Sequence, residues 1–164
     1  MTFRPALTSE LDQIYLMGFD TWSGGKSKDD YLQSCHSSPK YKSGRWFVLA
    51  DNDPVSSLLV HDFLNWTPYI ARGIGSLATE PNHRERGYAS ELIKKTVSYL
   101  QTKENAAIIF LFADINPEFY RKQGFADLPK EIRKYKDSTL MAWLSPNCPS
   151  EILRQNYDKL PRYF

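Results

Sequence analysis

The chain has 164 residues, 41% hydrophobic and 24% charged, with 21 Lys and Arg against 19 Asp and Glu. That length fits one compact domain burying roughly 70% of its unfolded surface, and the even charge argues against a chain given over to nucleic acid or an anionic membrane. Two cysteines, Cys35 and Cys148, are too few for a disulfide framework and lack metal-ligand spacing. No metal is therefore expected, and a reducing cytoplasm is the expected compartment. No apolar stretch approaches the roughly 20 residues that span a bilayer, and Met1 to Pro5 holds no hydrophobic signal region.

From about Ser9 to Asp20, Leu11, Ile14, Tyr15, Gly18 and Phe19, with Trp22 beyond, recur at the spacing of one helical face. Ser9 and Asp12 resemble a capping box, and Gly24-Gly25 stops the helix. Ser27 and Asp30 repeat the capping pattern ahead of a short second helix that ends before Pro39. Arg45 to Ala50 and Val55 to His61 read as the two strands of a hairpin around Asp51 to Pro54. A third strand runs from about Tyr69 to Thr79, where Gly73 and Gly75 favour a bulge. Tyr88 to about Gln101 is an amphipathic helix with Ala89, Leu92, Ile93, Thr96, Val97 and Leu100 on its buried stripe. Ala106 to Ala113 is almost unbroken apolar chain, the mark of a central strand covered on both faces. A short helix from Pro117 to Lys122 and a last strand from Thr139 to Leu144 complete an α/β (α+β) order in residues 1–144. Residues 145–164 form an extension whose Ile152, Leu153, Tyr157 and Leu160 predict an amphipathic helix, packed on the same domain or on a second subunit of a homodimer.

The chemistry gathers where the third strand turns into the long helix. Gly87 has no β-carbon and Ala89 only a methyl, so the backbone can press close to a ligand while N–H groups turn into the bend. At a helix N-terminus such groups suit a pyrophosphate, and Arg84 and Arg86 add positive charge. Gly25-Lys26-Ser27 is a Gly-Lys-Ser triplet, but Asp20 stands where the full G-x-x-x-x-G-K-S/T loop has its first Gly, and no G-x-G-x-x-G occurs, which sets aside the Walker and dinucleotide-binding loops.

Arg84-x-x-Gly87-x-Ala89 matches the Q/R-x-x-G-x-G/A signature, and Phe119-Tyr120-Arg121-Lys122-Gln123-Gly124-Phe125 matches the Φ-Tyr-x-x-x-Gly-Phe segment, of the GNAT superfamily of acyl-CoA N-acyltransferases. The chain resembles that superfamily in its order of elements from residue 1 to about 144. The resemblance implies a mixed, mostly antiparallel sheet splayed at the centre and flanked by helices. Acyl-CoA would lie against the splayed strand, its pantetheine and thioester met by main-chain groups of Leu77, Ala78 and Thr79. The N–H groups of Arg84, Glu85, Arg86, Gly87, Tyr88, Ala89 and Ser90 would cradle the pyrophosphate.

The resemblance makes Tyr120 the acid that protonates the departing thiolate, with Phe119 beside the cofactor. Where many relatives carry Asn and then Ala, seven and four residues before the Tyr, this chain has Ala113 and Asn116. Asp114 or Asn116 could then replace the missing contact, and Asn116 is the residue expected to meet the cofactor. Glu80, Asp62 and His61, at predicted strand ends, are candidates for the base, as is a chain of water.

The expected activity is transfer of acetyl from acetyl-CoA to a primary amine of a small molecule or peptide, by direct attack in a ternary complex. The alternative is an acyl-CoA-binding sensor without catalysis. Lys130, Arg133, Lys134 and Lys136 form a short basic run, read as a solvated face rather than a nucleic-acid contact. Tyr15, Phe19, Trp22, Tyr31 and Trp143 could wall an acceptor pocket, although core packing accounts for most of them.

Overall fold

The computed structural model describes residues 1–129 and 137–164, so the basic run from Lys130 to Lys136 lies outside the described residues. Seven strands follow the hydrogen-bonded order β1-β2-β3-β4-β5-β7-β6: β1 (Thr2–Pro5), β2 (Arg45–Asp51), β3 (Asp53–Phe63), β4 (Ile70–Thr79), β5 (Ala106–Ala113), β6 (Ala126–Asp127) and β7 (Thr139–Leu144). The β1/β2, β2/β3, β5/β7 and β6/β7 pairs are antiparallel, and β4/β5 is parallel. That one parallel pair needs a crossover, which the chain supplies as α5 (Tyr88–Glu104). The fold is thus a mixed sheet, mostly antiparallel, with helices.

The chain divides into two compact units, Met1–His61 with Ser76–Thr96, and Asp62–Gly75 with Val97–Phe164. In the first, the expected leading helix is broken. A 3-10 turn (Thr8–Glu10) precedes α1 (Leu11–Leu16), and α2 (Phe19–Trp22) restarts after Gly18. The residue at the break has to be small, since a β-carbon on Gly18 would lie 2.1 Å from the Trp22 ring. Ser9 does not cap; instead the Leu7 N–H donates to Glu10, whose carboxylate also takes both Nη groups of Arg4. Ser27 does cap α3 (Lys28–Ser37), accepting from Asp30 N–H at 3.2 Å. A further helix, α4 (Pro39–Ser43), starts on Pro39 at its first turn and was not expected, and neither was β1. Ile14, Tyr15, Met17, Tyr31, Cys35, Trp46, Val48 and Leu59 make this unit's core. Tyr15 stacks on Tyr41 at 5.3 Å and meets Trp46 edge-on at 5.7 Å, so Tyr15 and Tyr31 are core residues rather than pocket walls. Trp22 is exposed.

In the second unit β5 is buried along nearly its whole length, as its unbroken apolar sequence predicts. Two short elements follow, α6 (Pro117–Arg121) and β6, the latter unexpected. Trp66, Ile108, Phe110, Leu128, Leu140, Ala142, Leu153 and Leu160 form the core, with Phe63, Tyr157 and Phe164 against it. The tail therefore packs by the apolar residues its sequence marked, although its helix is only α7 (Glu151–Gln155) followed by a 3-10 turn (Tyr157–Lys159).

Neither Gly73 nor Gly75 has a positive φ. The register against β5 shifts between Ile70 and Ala71, the paired residues run to Ile74↔Leu111, and Ser76 takes φ +49°. Gly73 serves close packing instead: a β-carbon there would stand 2.6 Å from the Phe164 ring and 2.8 Å from the Phe63 ring.

Candidate functional site

β4 ends on Thr79, and the Glu80 N–H donates to the Val55 carbonyl at 3.0 Å, which anchors the start of the loop to β3. A 3-10 turn over Pro81–His83 follows, closed by His83 N–H to the Glu80 carbonyl at 2.8 Å. The chain then takes left-handed backbone at Glu85, φ +64°, and at Gly87, φ +83°, before α5 begins at Tyr88. Gly87 was expected; Glu85, a residue with a β-carbon in a costly conformation, was not. Reversals of this kind turn successive N–H groups toward one side, as in an anion nest. The first intrahelical bond is from Glu91 N–H to the Gly87 carbonyl at 3.0 Å, so Tyr88 and Ala89 present N–H groups ahead of the helical ladder. A β-carbon built on Gly87 meets nothing within 4 Å, so the space before the bend is open.

Arg84 differs from its expected part. Its Nη2 donates to Asp20 Oδ1 at 2.9 Å and to the Met17 carbonyl at 3.1 Å, its Nη1 donates to Asp20 Oδ2, and its Nε donates to the Thr79 carbonyl at 3.1 Å. The Arg84 bond holds the Asp20 carboxyl below the usual carboxylate range, and the same pair raises the guanidinium. This side chain is consumed in bracing the loop to α2. The Arg84 N–H itself reaches back to the Pro81 carbonyl at 3.4 Å. Arg86 is exposed and, among the described residues, has no ion-pair partner, so its charge is available to a ligand.

Of the main-chain groups expected to meet pantetheine, the Ala78 carbonyl already accepts from buried Ser56 Oγ at 2.9 Å and the Thr79 carbonyl from Arg84. Leu77 is partly buried.

In the second unit, α6 carries Tyr120. Asn116, expected at the cofactor, caps this helix, its side-chain oxygen accepting from the Phe119 N–H at 3.3 Å. Gly124, at φ +89°, ends the segment, and its conformation explains the glycine of the motif. The Tyr120 ring stands edge-on to Phe119 at 5.0 Å and to Phe125 at 6.3 Å. Burial pushes the phenol up to about 12, and the nearby Asp114 charge adds to that. The group keeps its proton through the neutral range.

The base candidates separate. Asp62 faces Arg72 at 3.1 Å, which also binds Glu104 at 2.8 Å; His61 is buried in β3; Glu80 is partly buried at the loop's start. Both cysteines are free and buried, and burial raises their thiols. Among the described residues no helix is long and apolar enough to cross a membrane.

A family model described as an acetyltransferase (GNAT) domain matches residues 3–127. No curated protein matches the chain by sequence. Solved structures do resemble it. A mutant of the spermidine N-acetyltransferase SpeG from Vibrio cholerae aligns over 94% of this chain and 96% of its own at 19% identity and TM-score 0.66. The ribosomal-protein-S18-alanine N-acetyltransferase from Escherichia coli aligns over 90% and 98% at 15% identity and TM-score 0.64. A chain of the NatC complex bound to Gag peptide and CoA aligns over 88% and 98% at 17% identity and TM-score 0.63. At these identities the likeness is one of fold.

Proposed function

The chain belongs to the GNAT acetyltransferase family, and from that premise we propose that it moves an acetyl group from acetyl-CoA to a primary amine by direct attack in a ternary complex. The observation that carries this reading is the open bend at residues 85–89, with two left-handed residues, N–H groups ahead of the helical ladder and an exposed Arg86 without an ion-pair partner among the described residues. Such a bend binds the pyrophosphate through backbone amides and the helix dipole. Acyl transfer then poses two proton problems. The amine, with a pKa near ~10.4, must lose a proton before attack, and the thiolate leaves better if it gains one.

Tyr120 supplies the second proton, since a phenol raised to about 12 is fully protonated at neutral pH. The raised, buried thiols of Cys35 and Cys148 are poor nucleophiles, which supports direct attack over a covalent acetyl-enzyme. The amine acceptors named for the structural neighbours, spermidine and a protein alanine, set the range of the assay panel.

Thiol release from acetyl-CoA is measured with polyamines, amino acids, aminoglycosides and peptides bearing free N-termini. Y120F should lower turnover about 100-fold or more while leaving acetyl-CoA affinity unchanged. Unchanged turnover removes Tyr120 from the role. Binding of acetyl-CoA with no thiol release for any amine would make the protein a sensor instead.

A further inference from the structure

Asp114 directly follows β5, exposed to solvent yet held from two sides. The Ser138 hydroxyl donates to Oδ1 in a short bond, and the Tyr163 phenol donates to Oδ2 at 2.8 Å. Tyr163 is itself fixed, its ring lying against Phe112 at 5.2 Å, while Phe164 wedges between Phe63 at 5.1 Å and Phe112 at 5.5 Å. Hydroxyl donors orient a carboxylate without neutralising it, and among the described residues neither of these partners is a cation. Next to Asp114 in the chain is Ile115, 82% exposed, and the Tyr163 that donates to it is 41% exposed. A preset carboxylate with an aromatic and aliphatic rim fits an alkylammonium group, which needs a counter-charge for its head and apolar contact for its chain. Asp114 is also close enough to Tyr120 for its charge to act on the phenol.

We infer that Asp114 binds an ammonium group of the acceptor, with Ser138 and Tyr163 as positioning residues, and that the acceptor class is a diamine or longer polyamine. Only the identification of this ammonium as the acceptor's rests on the acetyltransferase reading. The choice of a second amine follows from acid–base chemistry. A carboxylate favours the charged form of any amine it touches, so holding the reacting nitrogen would oppose its deprotonation, whereas holding a second one costs the reaction nothing. The bound cation also offsets the field of Asp114 on Tyr120, which eases proton donation once the acceptor is in place.

Calorimetry with 1,4-diaminobutane and with 4-aminobutanoate, on the full chain and on D114N and Y163F, tests the site without requiring turnover. The diamine should bind the unmodified chain, bind D114N at least about 10-fold more weakly, and bind Y163F about fivefold more weakly. The amino acid, whose carboxylate replaces the second ammonium, should bind none of the three. Equal diamine affinity in D114N, no diamine binding to the unmodified chain, or equal affinity for the two ligands overturns the inference. An acetyl-CoA titration of the same samples judges the acetyltransferase reading separately.

Discussion

Replacing Gly87 by Ala separates the backbone task of the bend at residues 85–89 from the phosphate binding proposed for it. Its φ of +83° is a left-handed conformation that costs a residue with a β-carbon about 1–2 kcal/mol. The added methyl meets no heavy atom within 4 Å, so no clash adds to that sum. For a chain of this size the cost is a fall in Tm of about 2–8 °C. The methyl projects into the space where the pyrophosphate is proposed to sit. Loss of one charge-assisted amide bond is worth about 1.5–3 kcal/mol, or roughly a 10- to 100-fold weaker Kd for acetyl-CoA. Asn tolerates left-handed backbone, so G87N should recover much of the Tm but none of the affinity. Scanning calorimetry reads the first effect and isothermal titration the second. Should both variants bind acetyl-CoA as tightly as the unmodified chain, the bend is not the phosphate cradle, whatever happens to Tm.

Two further substitutions test packing and charge. A β-carbon at Gly73 would press on Phe164 and Phe63 at 2.6 and 2.8 Å; G73A should cost about 1–3 kcal/mol by thermal denaturation, and F164A should relieve part of it, so strict additivity in the double variant refutes the contact. Glu10 accepts from both Arg4 Nη groups and from the Leu7 N–H, and the Arg4 bond chiefly lowers its carboxyl, so its contribution is present above the unfolded value near ~4.3 and is lost as pH falls through the lowered folded value. E10Q should therefore cost about 1–2 kcal/mol at pH 7 and flatten the acid limb of a Tm-against-pH curve below about pH 4, and an equal loss at every pH argues against this linkage.

Local signals carried the elements whose residues agree with one another. The β5 strand was legible because eight apolar residues in a row, too short for a buried helix of ordinary length, suit a doubly covered strand, and α3 because Ser27 and Asp30 sit where a cap requires them. Elements that depend on distant partners were not legible. Residues Thr2–Pro5 become a strand only because β2 lies beside them, with Phe3 opposite Leu49. The two-residue β6 exists through its pairing with β7, Ala126 opposite Ala142. The interruption falls at Gly18, where the Trp22 ring leaves no room for a β-carbon, while a periodicity count treats Trp22 as one more member of the same face. The glycines of β4 depend on distant partners too. Pairing with β5 runs to Ile74, the left-handed residue is Ser76 beside Gly75, and the small size of Gly73 answers to an aromatic ring 91 positions away.

Arg84 brings the same contrast into the site. A motif arginine beside a phosphate loop reads as a ligand for the phosphate, yet all three of its nitrogens are engaged by Asp20 and by two backbone carbonyls. Nothing near Asp20 in the sequence marks it as the partner of a residue 64 positions on. The consequence is a division of labour. Because Asp20 neutralises Arg84, a diphosphate held at the bend as proposed would meet the charge of Arg86, the N–H groups ahead of the helical ladder and the dipole of the 17-residue helix α5. Arg84 instead holds Met17, Asp20 and Thr79 in one place, fixing where the strained turn at Glu85 begins. Under the proposed function a rigid bend of amides needs such a brace, since its value for a diphosphate would lie in donors already aimed before the ligand arrives.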